Sequence, residues 1–227
     1  MTALPNRFAN RQQAGRLLGK VVKALNLAKP VVLALPRGGV PVGYEVAREL
    51  AAPLDILLVL KIGAPGHEEY GIGALVDGAS PQLVIDEMAA RKTGANRAYI
   101  ERQMARHLDE IERRRAAYRT GPPLSLAGRT VIVVDDGIAT GGTVKAALKA
   151  LAKVGPARVI LAVPVAPRDM LAELRALCDD VVCLSWPEPF HAVGAHYVDF
   201  TQTEDAEVIQ LLSSARQWLR QSGEPHR

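Results

Sequence analysis

The sequence predicts an α/β fold built on a mostly parallel sheet. Three observations carry this expectation. Short aliphatic runs rich in Val, Ile and Leu recur at 31–35, 56–60, 131–134, 158–163 and 181–184. Stretches with helical spacing of apolar residues separate most of them, which is the alternation of βαβ units. The runs are continuous rather than alternating, as suits strands covered on both faces. A chain of 227 residues has the length of one large domain and can bury a full core without disulfides. Its 48% hydrophobic and 23% charged content excludes a disordered or collagen-like protein, and 4% aromatic content makes the core aliphatic.

The first element is a helix over 8–27, with Leu17, Leu18, Val21, Val22 and Leu25 at helical spacing and Asn10 as its N-cap. Lys29-Pro30 ends it. A buried strand over 31–35 stops at the tight turn Pro36-Arg37-Gly38-Gly39, and a helix over 40–50 follows, with Pro41 in its first turn. A second strand covers 56–60 and places Lys61 at its end. The glycine-punctuated stretch 63–78 reads as a mobile loop or an open hairpin, and 83–85 as a short strand. Residues 96–119 form a long polar helix with the apolar stripe Ile100, Met104, Leu108, Ile111 and Tyr118, ended by Gly121-Pro122-Pro123. A strand over 131–134, a helix over 144–154, a strand over 158–163, a helix over 170–177, a strand over 181–184 and a closing helix over 204–219 complete the pattern.

The net charge of +4 suits an anionic ligand and is no nucleic-acid signature by itself. Arg113, Arg114, Arg115 and Arg119 interleave with Glu101, Asp109, Glu110 and Glu112, the pattern of a salt-bridged solvent face, with contact to a phosphate or a second subunit as the minority reading. Two cysteines, Cys178 and Cys183, exclude a disulfide framework, and neither they nor His191 and His196 have zinc spacing. The N-terminus has no apolar signal-like region and no run approaches a membrane span, so a soluble cytoplasmic protein is expected.

In parallel sheets ligands bind at the carboxyl ends of the strands. Three segments of unusual chemistry fall there: Pro36-Arg37-Gly38-Gly39, Lys61 with its glycine-rich neighbours, and Asp135-Asp136-Gly137-Ile138-Ala139-Thr140-Gly141-Gly142-Thr143. The last runs from a strand through an acidic pair into a helix. Unpaired N–H groups and the helix dipole at Thr140, Gly141, Gly142 and Thr143 favour a phosphate. Carboxylates are poor neighbours for that phosphate, so Asp135 and Asp136 need another partner, and vicinal ribose hydroxyls supply one. A ribose 5′-phosphate fits the whole segment. A P-loop would need lysine where Thr143 stands, a dinucleotide fingerprint would need Gly-x-Gly-x-x-Gly after the first strand, and a receiver-type acidic pocket would not need the Thr-Gly-Gly-Thr that follows.

These residues resemble the signature of the type I phosphoribosyltransferases: a hydrophobic strand, two acidic residues, a small loop and Thr-Gly-Gly-Thr. The resemblance implies a Rossmann-like sheet of that family's kind spanning about 33–163, here one domain over 1–227 with a helical insertion at 86–123 and a C-terminal hood and closing helix at 186–227. It implies an enzyme that binds Mg²⁺–phosphoribosyl pyrophosphate (PRPP) and displaces pyrophosphate with a nucleobase or related nitrogen nucleophile, as in nucleotide salvage. Asp135 and Asp136 would hold the ribose hydroxyls. Ala139, Thr140, Gly141, Gly142 and Thr143 would hold the 5′-phosphate. Arg37, Gly38 and Gly39 would form the pyrophosphate loop, which in the family often carries a strained or cis peptide, and Lys61 would come with a flexible loop to the leaving group. Mg²⁺ would be held mainly by PRPP, with Asp135 and Asp136 as candidate contributors. Ala139 stands where members acting on 6-oxopurines have an aspartate, and the loop looks closer to the adenine branch. Homodimers are common in the family.

The chain also resembles a subgroup marked by Phe8-x-x-Arg11-x-x-Ala14-Gly15, Leu35-Pro-Arg-Gly-Gly39, Lys61-x-Gly63-x-Pro65, Arg114-Arg115-x-x-Tyr118-Arg119 and Trp186-Pro187-x-Pro189-Phe190. Trp186, Phe190 and Tyr197 read either as a satellite core or as the wall on which a planar acceptor stacks. Read alone, Lys61 is as readily a surface lysine, and Glu68, Glu69 and Tyr70 are loop surface. Alternatives to transfer are a PRPP-binding regulator without turnover and a PRPP-site hydrolase.

Overall fold

The computed structural model describes residues 6–78, 80–118 and 124–221. In chain order its elements are α1 (Arg11–Lys23), β1 (Pro30–Ala34), α2 (Gly39–Leu50), β2 (Leu54–Ile56), β3 (Val59–Ala64), β4 (His67–Val76), β5 (Gln82–Ile85), α3 (Glu87–Lys92), α4 (Arg97–Tyr118), β6 (Thr130–Val134), α5 (Gly142–Val154), β7 (Arg158–Val165), α6 (Arg168–Leu174), β8 (Asp180–Ser185) and α7 (Asp205–Gln221), with a 3₁₀ turn at Val193–His196 between the last two.

The continuous aliphatic runs become a five-stranded sheet in the order β2-β1-β6-β7-β8, with every pairing parallel. Each strand divides its side chains between two cores by the period of two. Val32, Ala34, Ile132, Val134, Ile160 and Ala162 pack with Leu18 and Val22 of α1, Val42 and Val46 of α2, and Val208 and Leu212 of α7. Val31, Leu33, Val131, Val133, Leu161 and Val163 pack with Ala147, Leu148 and Leu151 of α5 and Leu171 and Leu174 of α6. Burying a Val, Leu or Ile side chain fully contributes about 1.5–3 kcal/mol, so a register slip in any central strand is strongly disfavoured. From β1 the chain goes to β2 on one side, and from β6 to β7 on the other. The paired strands β1 and β6 are therefore the switch point, from which the chain leaves in opposite directions across the sheet.

The N-terminal helix is shorter than its apolar spacing predicts. Asn10 caps it by accepting a hydrogen bond from the Gln13 N–H at 2.9 Å, which puts Arg11 in the first turn. Glycines then let α1 and α2 approach backbone to backbone: a Cβ on Gly15 would lie 2.7 Å from the Val42 carbonyl oxygen.

The expected strand over 56–60 is two strands in two sheets. β2 ends at Ile56, the Leu57 N–H reaches back to the Ala34 carbonyl, and the Leu58 carbonyl accepts from Asp77. β3 then pairs antiparallel with β4, and β4 with β5. Leu57 is buried in one core and Leu58 in the other, so the apolar run continues unbroken through the change of sheet. Lys61 accordingly sits inside β3, opposite Ala74, rather than at a strand end. The stretch 63–78 is the open hairpin, turning at Pro65-Gly66 with Gly66 at φ +73°. Glu68, Glu69 and Tyr70 are exposed, but on β4 rather than on a loop.

Other boundaries shift by a few residues from the expected ones. The stop at Gly121-Pro122-Pro123 and the mark Arg119 lie outside the described residues, as do the extreme ends of the chain. Helix α4 is indeed laced with ion pairs, Arg97 to Glu101, Arg113 and Arg114 to Glu110, and Arg115 to Glu112. Arg115 also turns inward, and its Nε donates to buried Asp77 at 2.6 Å. Among the described residues no helix is long and apolar enough to cross a membrane.

Candidate active site

At the switch point the turns that follow β1 and β6 are pressed together. The Pro36–Arg37 peptide bond is cis. A Cβ on Gly39 would lie 2.8 Å from the Val134 carbonyl oxygen and 3.2 Å from Asp135 Oδ1. A Cβ on Gly38 would lie 2.1 Å from Asp136 Oδ2. Only glycine fits either place, so the pair Gly38-Gly39 and the pair Asp135-Asp136 form one surface despite standing about a hundred positions apart in sequence.

The two carboxyls are held differently. Asp136 Oδ2 accepts from Arg11 Nε at 2.8 Å, and its backbone carbonyl accepts from the Tyr197 hydroxyl at 2.5 Å. Arg11 is itself fixed by the Thr201 carbonyl at 2.7 Å and lies over the Phe200 ring, 3.9 Å from its centroid. Burial pushes the Asp136 carboxyl upward, and Arg11 opposes that shift. Among the described residues Asp135 has no such counter-ion in contact. Its Oδ1 accepts the Asp136 N–H at 2.9 Å, while burial first, and the charge of Asp136 second, push its carboxyl well above the usual range. A carboxyl whose pKa is raised by folding stabilises the fold at low pH and loses that contribution as pH rises through the folded value. Asp135→Asn should therefore raise the melting temperature near neutral pH, by a few degrees for each kcal/mol or so of relieved repulsion. The gain should shrink toward pH 4, and thermal scans across that range read both.

The next turn, residues 139–143, forms an open cradle at the start of α5. Gly141 caps α5 at φ +71°, a left-handed conformation, and a Cβ there would also strike the Met170 sulfur at 2.5 Å. The Gly141 carbonyl already accepts from Lys145. In the first turn Gly142, Thr143 and Val144 have N–H groups with no intrahelical acceptor, at the positive end of the dipole. Ala139, Thr140 and Gly142 are exposed. Lys61 reaches the cradle from β3: its Cε is 3.9 Å from where a Gly142 Cβ would be. Its backbone carbonyl contacts the His107 ring of α4 at 3.0 Å.

Arg37 points elsewhere. Its Nη1 lies 3.4 Å from Asp205 Oδ1 at the start of α7. Of the three aromatic candidates, Trp186 is about half exposed and Phe190 stacks on His196 with ring centroids 5.2 Å apart. Tyr197 is a correction. It is fully buried between Phe8 and Phe200, so its ring offers no face to an acceptor, and its hydroxyl positions Asp136 instead. Arg11 was visible in the sequence only as part of a subgroup mark. Its carboxylate partner is 125 positions away.

The phosphoribosyl transferase domain model matches residues 7–199, most of the chain, including the turns after β1 and β6, Lys61 and Arg11. The chain belongs to that family. Two curated proteins of Mycobacterium tuberculosis, "Putative phosphoribosyl transferase MT0597" (strain CDC 1551 / Oshkosh) and "Putative phosphoribosyl transferase Rv0571c" (strain ATCC 25618 / H37Rv), are each 42% identical over 217 residues, 95% of this chain and 48% of theirs. The chain thus spans about half the length of these curated relatives. The crystal structure of TT1426 from Thermus thermophilus superposes with a TM-score of 0.79 at 44% identity, over 92% of this chain and 98% of that one. This phosphoribosyl transferase domain is therefore α/β with a five-stranded parallel sheet, a fold it shares with TT1426.

Proposed function

We propose that this domain transfers a phosphoribosyl group from PRPP to a nucleobase or related nitrogen nucleophile and releases pyrophosphate. The observation that carries the reading is the junction of the acidic pair with the open N-terminus of α5, faced by Gly38-Gly39 and by Lys61. The cradle from Ala139 to Thr143 would take the 5′-phosphate. Asp135 and Asp136 would accept from the ribose hydroxyls, which gives the poorly compensated Asp135 carboxyl two hydrogen-bond donors. In the transfer the anomeric C–O bond to the diphosphate breaks, a C–N bond forms, and the acceptor loses a proton. Negative charge grows on the leaving group, and Lys61 is placed to meet it. Arg37 would join by exchanging Asp205 for the diphosphate.

Mg²⁺ belongs to this reading. Among the described residues no cluster of three or more metal-ligating side chains exists, and Asp136 is already paired with Arg11. That donor set fits a cation brought by the diphosphate and ribose oxygens, with Asp135 as the protein carboxylate nearest to hand. The ion would supply charge neutralisation on the leaving diphosphate. Trp186 and Phe190 remain the candidates for stacking an acceptor. The lack of a carboxylate at Ala139 means that any proton assistance at the acceptor ring must come from elsewhere.

The test is pyrophosphate release from Mg²⁺–PRPP across purines, pyrimidines and simple amines, with Asp136→Asn as the blank. Release with one acceptor, lost in the variant, is the expected result. PRPP affinity by calorimetry, weaker in Asp136→Asn than in wild type, is the companion. Unchanged affinity would remove the acidic pair from the site. Lys61→Ala should lower kcat by roughly 10²–10³-fold, the scale of one lost electrostatic contact to a developing anion, with a smaller effect on PRPP binding. Equal turnover would remove Lys61.

A further inference from the structure

Strand β3, which carries Lys61, lies at the edge of the small sheet β3-β4-β5, so its ladder with β4 uses one side only. The other side presents main-chain groups at every second residue, and such groups need a partner or a cover. Helix α4 supplies both. The Tyr99 hydroxyl donates to the Gly63 carbonyl at 2.9 Å, and His107 Nε2 lies 3.0 Å from the Lys61 carbonyl. A carbonyl oxygen only accepts, so Nε2 carries the proton of that bond. The Tyr99 ring packs against the cluster that buries Ile62, and Arg115 ties the far end of α4 to Asp77, just past β4. These anchors fall where the ladder is weakest. Its register shifts between Ile62 and Gly63 and again between Gly63 and Ala64, directly beyond Lys61.

We propose that His107 is a positioning residue for the transfer: it fixes the main chain of Lys61 so that the ammonium stands at the 139–143 cradle before substrate binds. The inference rests on the reading of Lys61 as the group that meets the leaving diphosphate. A lysine is a point charge on a flexible stem, so the range of its charge is set by where its main chain is held. Lys61 Cε already lies 3.9 Å from the place of a Gly142 Cβ. Without the His107 bond the irregular end of β3 can drift, and a displacement of about 1 Å near the reacting atoms can cost ~10²-fold in rate. Among the described residues His107 makes no hydrogen bond to the cradle or to the acidic pair, so its loss falls on turnover rather than on PRPP binding.

The experiment has two readouts: steady-state transfer from Mg²⁺–PRPP, and the ¹³C signal of Lys61 Cε, identified by its loss in Lys61→Ala, as inorganic phosphate is added. His107→Ala should lower kcat about tenfold and leave KM for PRPP within about twofold of wild type. His107→Phe, which fills the space without a donor, should do the same. His107→Gln, whose amide donates from nearly the same point, should restore most of the rate. Lys61→Ala/His107→Ala should be no slower than Lys61→Ala alone, the mark of two residues acting through one charge. Phosphate should move the Lys61 signal in wild type and in His107→Gln, and move it less in His107→Ala and His107→Phe. His107 is half-buried, and circular dichroism should show the fold kept in all of them. Wild-type turnover in His107→Phe, or a double variant slowed by the product of the single effects, would overturn the proposal. If no acceptor turns over, the phosphate titration decides: equal shifts in wild type and His107→Phe overturn it, and a smaller shift in His107→Phe upholds it while the transfer reading fails. A wild-type Lys61 signal that ignores phosphate would overturn both.

Discussion

Arg11→Met should cost the protein about 3 kcal/mol near neutral pH and most of its affinity for PRPP. The guanidinium is the counter-ion in contact with Asp136, and both side chains are nearly buried, at 11% and 14% exposure. Removing one member of such a pair leaves the other charge uncompensated, which costs about 3–5 kcal/mol when burial is complete. The variant also loses the contacts to the Thr201 carbonyl and the Phe200 ring. The sign of the pH dependence identifies the cause. Without Arg11 the Asp136 carboxyl, already raised by burial, moves higher still. Its contribution is then favourable below the unfolded value and is lost as pH rises through the folded one. The gap in melting temperature between wild type and variant should therefore widen from pH 4 to pH 8. A constant gap would mean that only packing was lost. Arg11→Lys, which keeps the charge but not the fork, should restore part of the stability and less of the PRPP affinity.

Gly38→Ala should abolish PRPP binding, with a loss of at least a hundredfold. The backbone there has φ −59°, open to any residue, so the effect is contact alone. The added methyl would lie 2.1 Å from Asp136 Oδ2, 2.7 Å from Cγ and 3.3 Å from Arg11 Nε. Asp136 is short, and it is held at its carboxylate by Arg11 and at its carbonyl by Tyr197, so it yields only by breaking one of them. Overpacking of this kind costs about 1–3 kcal/mol in stability, and calorimetry with PRPP reads the larger effect. Gly71→Ala is the matched control: no atom lies within 4 Å of its added methyl, and it should stay within about 0.5 kcal/mol of wild type. Wild-type affinity in Gly38→Ala would mean that the two turns move apart freely and that their close contact has no part in binding.

Four of the five central strands were legible because each carries an aliphatic run; β2, Leu54-Asp55-Ile56, is too short and interrupted to show one, and the run expected at 56–60 overlaps it only at Ile56. The cradle was legible because everything it needs is local: strand, acidic pair, glycines and helix start lie within 131–143. What failed to show in sequence was whatever depends on long-range contact. The run through Leu57 and Leu58 hides a change of sheet, because both sheets bury aliphatic residues equally well. Tyr197 reads as a candidate ligand wall because rare aromatics in a loop attract attention, and sequence has no measure of burial there. Arg11 and Arg37 each pair with a carboxylate more than a hundred positions away, so charge patterning within one helix could not find either partner.

Phe8 forms a bridge with Tyr197, donating to the His196 carbonyl and accepting from Val198, and Asp199 donates to Ala9. This stitch joins residues nearly two hundred apart, and it is what brings Arg11, Tyr197 and Thr201 around Asp136. The consequence is one of timing. During synthesis the sheet strands and the cradle after β6 emerge with their local partners, but Asp136 has no fixed orientation until residue 201 has emerged and closed back on the first turn of α1. Contacts of such sequence separation form late, because the entropy of closing the loop must be overcome before they contribute. A chain cut short before that point would lack both the contacts that set its acidic pair and the α7 residues that cover one face of the sheet.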